Sequence, residues 1–84
     1  MPLNPELERA RHDALVALGG RVRELRLAKS MTQQQLADAT GMHRVSINKM
    51  EHGQLDVGVS NVTALASALG VDANELFSKG PTSA

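Results

Sequence analysis

The chain has 84 residues, enough for one small domain that buries only about 60% of the surface its unfolded form exposes, which leaves little room for an enclosed catalytic cavity. Nine Lys and Arg balance nine Asp and Glu, so no global field draws in a polyanion, and a histone-like or polybasic mode of binding is excluded. With no cysteine, Trp or Tyr and a single aromatic, Phe77, the chain has no disulfide scaffold, no zinc-finger or iron–sulfur ligand set, and no platform for stacking unpaired bases.

The periodicity is helical almost throughout, and the expected fold class is all-α. Asn4 is placed to cap a first helix, with Pro5 at its first position, where the missing N–H costs nothing. Leu7, Ala10, Ala14, Leu15, Leu18, Val22, Leu25 and Ala28 then recur mostly three and four apart as far as Lys29. Gly19-Gly20 interrupts the pattern, each glycine costing about 1 kcal/mol relative to alanine in a helix. Either one long helix weakened at its middle or two helices meeting there fits. The apolar stripe keeps its phase across the glycines, which favours one.

Thr32-Gln33-Gln34-Gln35 is a capping box, with Thr32 as N-cap and Gln35 reaching back; it opens a short helix that closes at Gly41. The next helix runs from about His43 or Arg44 to Glu51 or His52 and stops at Gly53, and Gln54 to Gly58 is a loop. Val59, Val62, Leu65, Ala66 and Leu69 mark a fourth helix closed by Gly70. Asp72-Ala73-Asn74-Glu75 resembles a second capping box before a last short helix through Leu76 and Phe77. The remaining residues, 78–84, have no apolar anchor and are expected to form a mobile tail.

The informative segment is Gln33 to His52. Leu36, Ala37, Met42, Ile47 and Met50 are its apolar positions. Ala37 is small because two helices cross closely there, and Gly41 supplies the left-handed turn that sets their angle at roughly 90–120°. Ile47 and Met50 then face the core, leaving Arg44, Val45, Asn48 and Lys49 on the other side. A helix with one buried stripe and an exposed row of hydrogen-bonding side chains suits a DNA major groove.

These residues resemble the phage-repressor and Cro type (XRE) helix-turn-helix regulators. The resemblance is carried by Leu25-Arg26, the run Met31 to Ala37, Gly41, the run Ser46 to Gly53, and Leu65-Ala66-Ser67-Ala68-Leu69-Gly70-Val71, and it spans about residues 18 to 77. It implies a five-helix, sequence-specific regulator of transcription that binds a near-palindromic double-stranded DNA operator as a homodimer. Two recognition helices would then enter successive major grooves about 34–36 Å apart.

By the same resemblance, Thr32 and Gln33 stand where the family meets a phosphate, at a helix N-terminus that favours anions in any case. His43, Arg44, Val45, Ser46, Asn48 and Lys49 fall on or beside positions that reach base edges or nearby phosphates. Arg44 matches O6 and N7 of guanine, Val45 a thymine methyl, Asn48 an adenine, and Lys49 a guanine or a phosphate; Ser46 points along the backbone. Arg26 and Glu51 occupy positions that form a structural ion pair in relatives. Three departures stand out: Ser30 replaces the usual helix-ending glycine, Gln54-Leu55-Asp56 lacks the basic residues common in that loop, and the chain before residue 18 exceeds the minimal domain.

The expected organisation is a helical N-terminal extension at 1–17, a DNA-binding domain at 18–77 and a tail at 78–84. No apolar run approaches the ~18 residues of a membrane span, the N-terminus lacks the basic flank and apolar stretch of a signal peptide, and Pro2 stands where myristoylation needs glycine. A cytoplasmic protein with no cofactor, no metal and no enzymatic activity is expected. Its partners are the operator and a second copy, with RNA polymerase or a small partner protein left open. The alternative is a protein-interaction module on the same fold without direct DNA contact, supported by the zero net charge and the acidic loop.

Other signals are weaker. Ser46-Ile47-Asn48-Lys49 matches the S-x-x-K of serine acyl-enzymes, but its partner motifs are absent and chance explains it better. Asn61-Val62-Thr63 is a formal glycosylation sequon in a chain with no sign of secretion. His12, His43 and His52 lack ligand spacing. Met42 and Met50 fit core packing, and Arg9, Arg11, Arg21 and Arg23 are interleaved with Glu6, Glu8, Asp13 and Glu24 as on a solvated helix face.

Overall fold

A computed structural model describes residues 4–77, and among them the chain forms four α-helices, a 3-10 helix and no strand. In order these are α1 (Pro5–Ala28), α2 (Gln33–Thr40), α3 (Arg44–Glu51), α4 (Gly58–Leu69) and the 3-10 helix Ala73–Phe77. The all-α class stands, but the fifth helix differs from expectation. The Glu75 N–H donates to the Asp72 carbonyl, three residues back, at 2.9 Å, and so short a segment takes the tighter 3-10 winding. The tail expected over 78–84 lies outside the described residues.

α1 is a single helix of 24 residues that runs straight through Gly19-Gly20. Asn4 Oδ1 accepts from the N–H groups of Glu6 at 2.9 Å and Leu7 at 3.4 Å, Pro5 takes the first position, and Glu6 and Glu8 face the positive end of the helix dipole. The boundary expected at residue 17 falls inside this helix. What changes there is burial: residues 4–14 are exposed, Leu15 is half-buried and Leu18 is buried.

Three helices end in the same way. In α3 the N–H of Gln54 reaches the Lys49 carbonyl and that of Gly53 the Met50 carbonyl; in α4, Val71 and Gly70 bond to Ala66 and Ser67. In α1, Met31 and Ser30 bond to Arg26 and Leu27. Each is a Schellman closure, which needs a left-handed residue at its C′ position. Gly53 and Gly70 supply it at φ 70° and 69°, whereas α1 uses Ser30 at φ 56°. A non-glycine residue in that region costs about 1–2 kcal/mol. Part of this returns through the greater freedom that glycine brings to the unfolded chain, about 0.4–1 kcal/mol. Ser30→Gly should therefore stabilise the domain by about 0.5–1 kcal/mol and raise the melting midpoint by roughly 2–6 °C in a thermal melt. An unchanged or lower midpoint would show that the turn carries no strain.

The core gathers one stripe from each element: Leu18 and Val22 of α1, Leu36 and Ala37 of α2, Ile47 and Met50 of α3, Leu65, Ala66 and Leu69 of α4, and Leu76. Burying each large aliphatic side chain contributes about 1.5–3 kcal/mol. Three placements depart from the sequence pattern. Val57, expected in a loop, is buried, and α4 begins one residue earlier than its apolar marks, at Gly58. Val59, counted among the apolar marks of α4, is 84% exposed, while Val57 just before it and Val62 one turn on pack on the core.

Gly19 explains how α1 and α3 fit together. A Cβ there would collide with the Met50 carbonyl oxygen and stand 3.0 Å from the carbonyl carbon and oxygen of Glu51, so the backbones meet with no room for a side chain. Gly20 meets nothing within 4 Å. The sequence pattern treats the two glycines alike, whereas the structure requires only the first.

Candidate nucleic-acid interface

α2 and α3 form a helix-turn-helix whose local chemistry is complete. Thr32 Oγ1 accepts from the Gln35 N–H at 3.0 Å, and Gln35 Oε1 accepts from the Thr32 N–H at 2.8 Å. That closes the capping box, with the Thr32 hydroxyl oxygen as an acceptor. Gly41 ends α2 in the left-handed conformation at φ 77°, its N–H on the Ala37 carbonyl at 2.9 Å. The chain then turns through Met42, which packs half-buried on the core, and His43 becomes the N-cap of α3 without a side-chain hydrogen bond.

α3 buries Ile47, Met50 and Glu51 and exposes Arg44, Val45, Asn48 and Lys49, with His43 exposed just before it. Those exposed residues share the side of the helix away from the core. Val45 is 54% exposed, an apolar surface with no protein neighbour to cover it. Ser46 is half-buried and lines a shallow recess with Met42, His43, Leu55 and Asn61.

Behind this face lies a buried ion pair. Arg26 Nε donates to Glu51 Oε2 at 2.6 Å and its second terminal nitrogen to Glu51 Oε1 at 3.0 Å, a bidentate fork in which both side chains are buried. The remaining guanidinium nitrogen donates to the Met31 carbonyl at 2.8 Å, so one arginine ties the end of α1, the α1–α2 turn and the last turn of α3 together. The hydrogen bonds that Arg26 donates to Glu51, more than the charge of that carboxylate, raise the Arg26 pKa above the ordinary value, against the opposing effect of burial. Because its folded pKa lies above the unfolded one, the stability that ionised Arg26 contributes is present below the unfolded value and is lost only in strong alkali.

Gln33, half-buried at the first position of α2, lies between this pair and the exposed face. Its Nε2 donates to Glu51 Oε1 at 3.1 Å and to Asn48 Oδ1 at 3.2 Å. The sequence pattern did not reveal this bridge. Asn48 and Glu51 stand three apart and so share a side of α3, but which α2 residue reaches them depends on how the helices cross. His52, next on the chain, is exposed with Nδ1 2.7 Å from the Asn48 carbonyl. Of the α1 arginines, Arg21 is held in place, with Nε donating to the Glu75 carbonyl at 3.0 Å and an ion pair to Glu24.

Among the described residues no three His, Asp or Glu side chains gather as metal ligands would, and no helix is long and apolar enough to cross a membrane. A separate apolar groove lies on the α1–α4 side, away from α3, lined by Ala14, Leu15, Leu18, Val59, Val62 and Phe77, with Arg11 and Asp56 on its rim. Phe77 is 65% exposed there, while its neighbour Leu76 is wholly buried.

The helix-turn-helix family described as HTH_3 matches residues 22–76. The control protein C.BamHI of Bacillus amyloliquefaciens is 39% identical over 60 residues, covering 70% of this chain and 74% of its own. The restriction-modification controller protein C.AhdI of Aeromonas hydrophila, solved at high resolution by crystallography, superposes with a TM-score of 0.73 at 43% identity over 75% of this chain and 96% of its own. The crystal structure of the hypothetical transcription factor NHTF from Neisseria gives a TM-score of 0.78 at 28% identity, over 83% of this chain and 80% of its own.

Proposed function

The chain belongs to the helix-turn-helix family of DNA-binding transcription regulators, and from that membership we propose that it works as a homodimeric controller, binding a near-palindromic operator by laying α3 in the major groove. Its relatives are regulators rather than enzymes. Likeness to one protein named as a restriction-modification controller and to another named as a control protein favours that role over a phage repressor or an antitoxin. Control would then follow concentration: dimer formation, operator occupancy and regulation of its own gene.

The observation that carries this is the row Arg44, Val45, Asn48 and Lys49, exposed on a helix whose opposite side is locked to the core and to Arg26. Arg44 offers a fork suited to guanine, Val45 a methyl surface suited to thymine, and Lys49 a charge for guanine or phosphate. The first N–H groups of α2 at Gln33 add an anion site on the flanking backbone. For the dimer, the support is self-complementarity. Residues 1–29 carry net +2 and residues 54–84 net −2, so α1 of one copy suits the α4 end of another, and the exposed Val59 and Phe77 give that contact an apolar centre.

Anisotropy titrations on a site selected from the DNA upstream of the gene test this. Affinity should fall steeply with salt, Arg44→Ala should cost about 1–3 kcal/mol at the cognate site, and Lys49→Ala should lower the salt slope by about one. Tight, salt-sensitive binding that survives both substitutions would move the interface off α3. Salt-independent or absent binding would favour a protein-interaction module on the same fold.

A further inference from the structure

We infer that Gln33 is a positioning residue for specificity: it holds the Asn48 amide with its NH2 group outward, so that Asn48 reads guanine and not adenine. The inference rests on the DNA-reading role proposed for α3.

Its logic starts at the buried end. The Glu51 carboxylate can only accept hydrogen bonds, and Arg26 holds it in place through both oxygens. The Gln33 atom 3.1 Å from Glu51 Oε1 must therefore be its NH2 nitrogen. That same nitrogen stands 3.2 Å from the Asn48 side chain and, being a donor, can face only an acceptor there. Asn48 must accordingly turn Oδ1 toward Gln33 and Nδ2 away from it. A chain of fixed donor–acceptor directions thus runs from the Arg26–Glu51 pair to the exposed side of α3, and it ends in a donor.

The chemistry of the groove then decides the base. Adenine presents a donor beside an acceptor, so an amide recognises it by offering its oxygen and its NH2 group together. Guanine presents two acceptors, O6 and N7, and suits a group that offers donors. With its oxygen engaged at the α2–α3 seam, Asn48 is set for the second pattern. The adenine expected from sequence is replaced by guanine, and the residue responsible, Gln33, is one that need not touch the base.

Selection of tight binders from a pool of random-sequence double-stranded DNA, followed by sequencing, tests this with wild type, Asn48→Ala, Gln33→Met and Asn48→Asp. Asn48→Ala identifies its base by relaxing the preference at one position of the half-site. In wild type that position should favour guanine over adenine by about tenfold or more. Gln33→Met should reduce the ratio to about twofold while leaving the Arg44-dependent position unchanged, an effect that a merely structural or phosphate-binding role would not produce. Asn48→Asp keeps an oxygen for Gln33 and turns the outward group into an acceptor, so the preference should pass to cytosine, whose N4 is a donor. This variant also keeps the test open if Gln33→Met fails to fold. Adenine in the wild-type site, no position relaxed by Asn48→Ala, an unchanged ratio in Gln33→Met, or its uniform weakening at every position would each overturn the inference alone. A wild-type protein that enriches no sequence would overturn the operator-binding reading beneath it.

Discussion

Gly19→Ala should destabilise the domain by about 3 kcal/mol and abolish specific DNA binding, while Gly20→Ala, one residue on, should stabilise it by about 0.5–1 kcal/mol. The added methyl at Gly19 is directed at the backbone of Met50 and Glu51 and cannot be relieved by a change of rotamer. α1 and α3 must separate, and with them the Arg26–Glu51 fork, which spans the same seam. A domain of 84 residues holds roughly 4–13 kcal/mol in all, so the loss is a large share of it. At Gly20 the methyl enters open space, and only the gain in helix propensity remains. Urea denaturation of the two variants, with equal slopes, is the measurement. Equal and small effects at both positions would mean that the seam yields and that the close approach does not set the geometry of α3.

The glycine pair shows where sequence reasoning stops. Whatever depends on neighbours within three or four residues was legible: the Asn4 cap, the Thr32–Gln35 capping box, and the closures at Gly41, Gly53 and Gly70. So was the division of α3 into a buried Ile47–Met50 side and an exposed Arg44–Lys49 side, because helical period alone decides it. Gly19 and Gly20 look identical to any local rule, and only the passage of α3 beneath one of them separates the two. Val59 shows the same limit: its place among the apolar marks of α4 promised burial, whereas it is 84% exposed while Val57 and Val62 on either side pack on the core.

The site was legible to a similar depth. Its exposed residues followed from helical period and the Arg26–Glu51 partnership from the family resemblance, and Ser30 stood out at the position where α1 takes its left-handed turn. The Gln33 bridge did not, since a residue 15 positions from Asn48 and 18 from Glu51 is joined to them only by the crossing of α2 over α3. That bridge is also what gives the ion pair more than a scaffold role. It makes the direction of an exposed amide depend on a buried charge.

Breaking the ion pair from one side should therefore be severe and replacing it whole should be mild, with function separating from stability. Arg26→Met leaves the Glu51 carboxylate buried with only Gln33 to donate to it, and frees the Met31 carbonyl at the α1–α2 turn, at an expected loss of about 3–5 kcal/mol. Arg26→Met combined with Glu51→Leu removes both charges from the same buried space, and stability should return to within about 1 kcal/mol of wild type. Denaturant melts of the single and double variants close the cycle, and simple addition of two large losses would show that the pair is not a unit. Because the raised Arg26 pKa places its titration in strong alkali, the same contrast should hold from neutral to mildly alkaline pH. The restored double variant has nevertheless lost the acceptor that orients Gln33, so it should bind its operator with weakened preference at the Asn48 position while its melting behaviour is nearly normal. Discrimination equal to wild type in that stable background would show that the buried charges serve packing alone. A selective loss would show that an ion pair contributing little net stability is what keeps the polarity of the reading face defined.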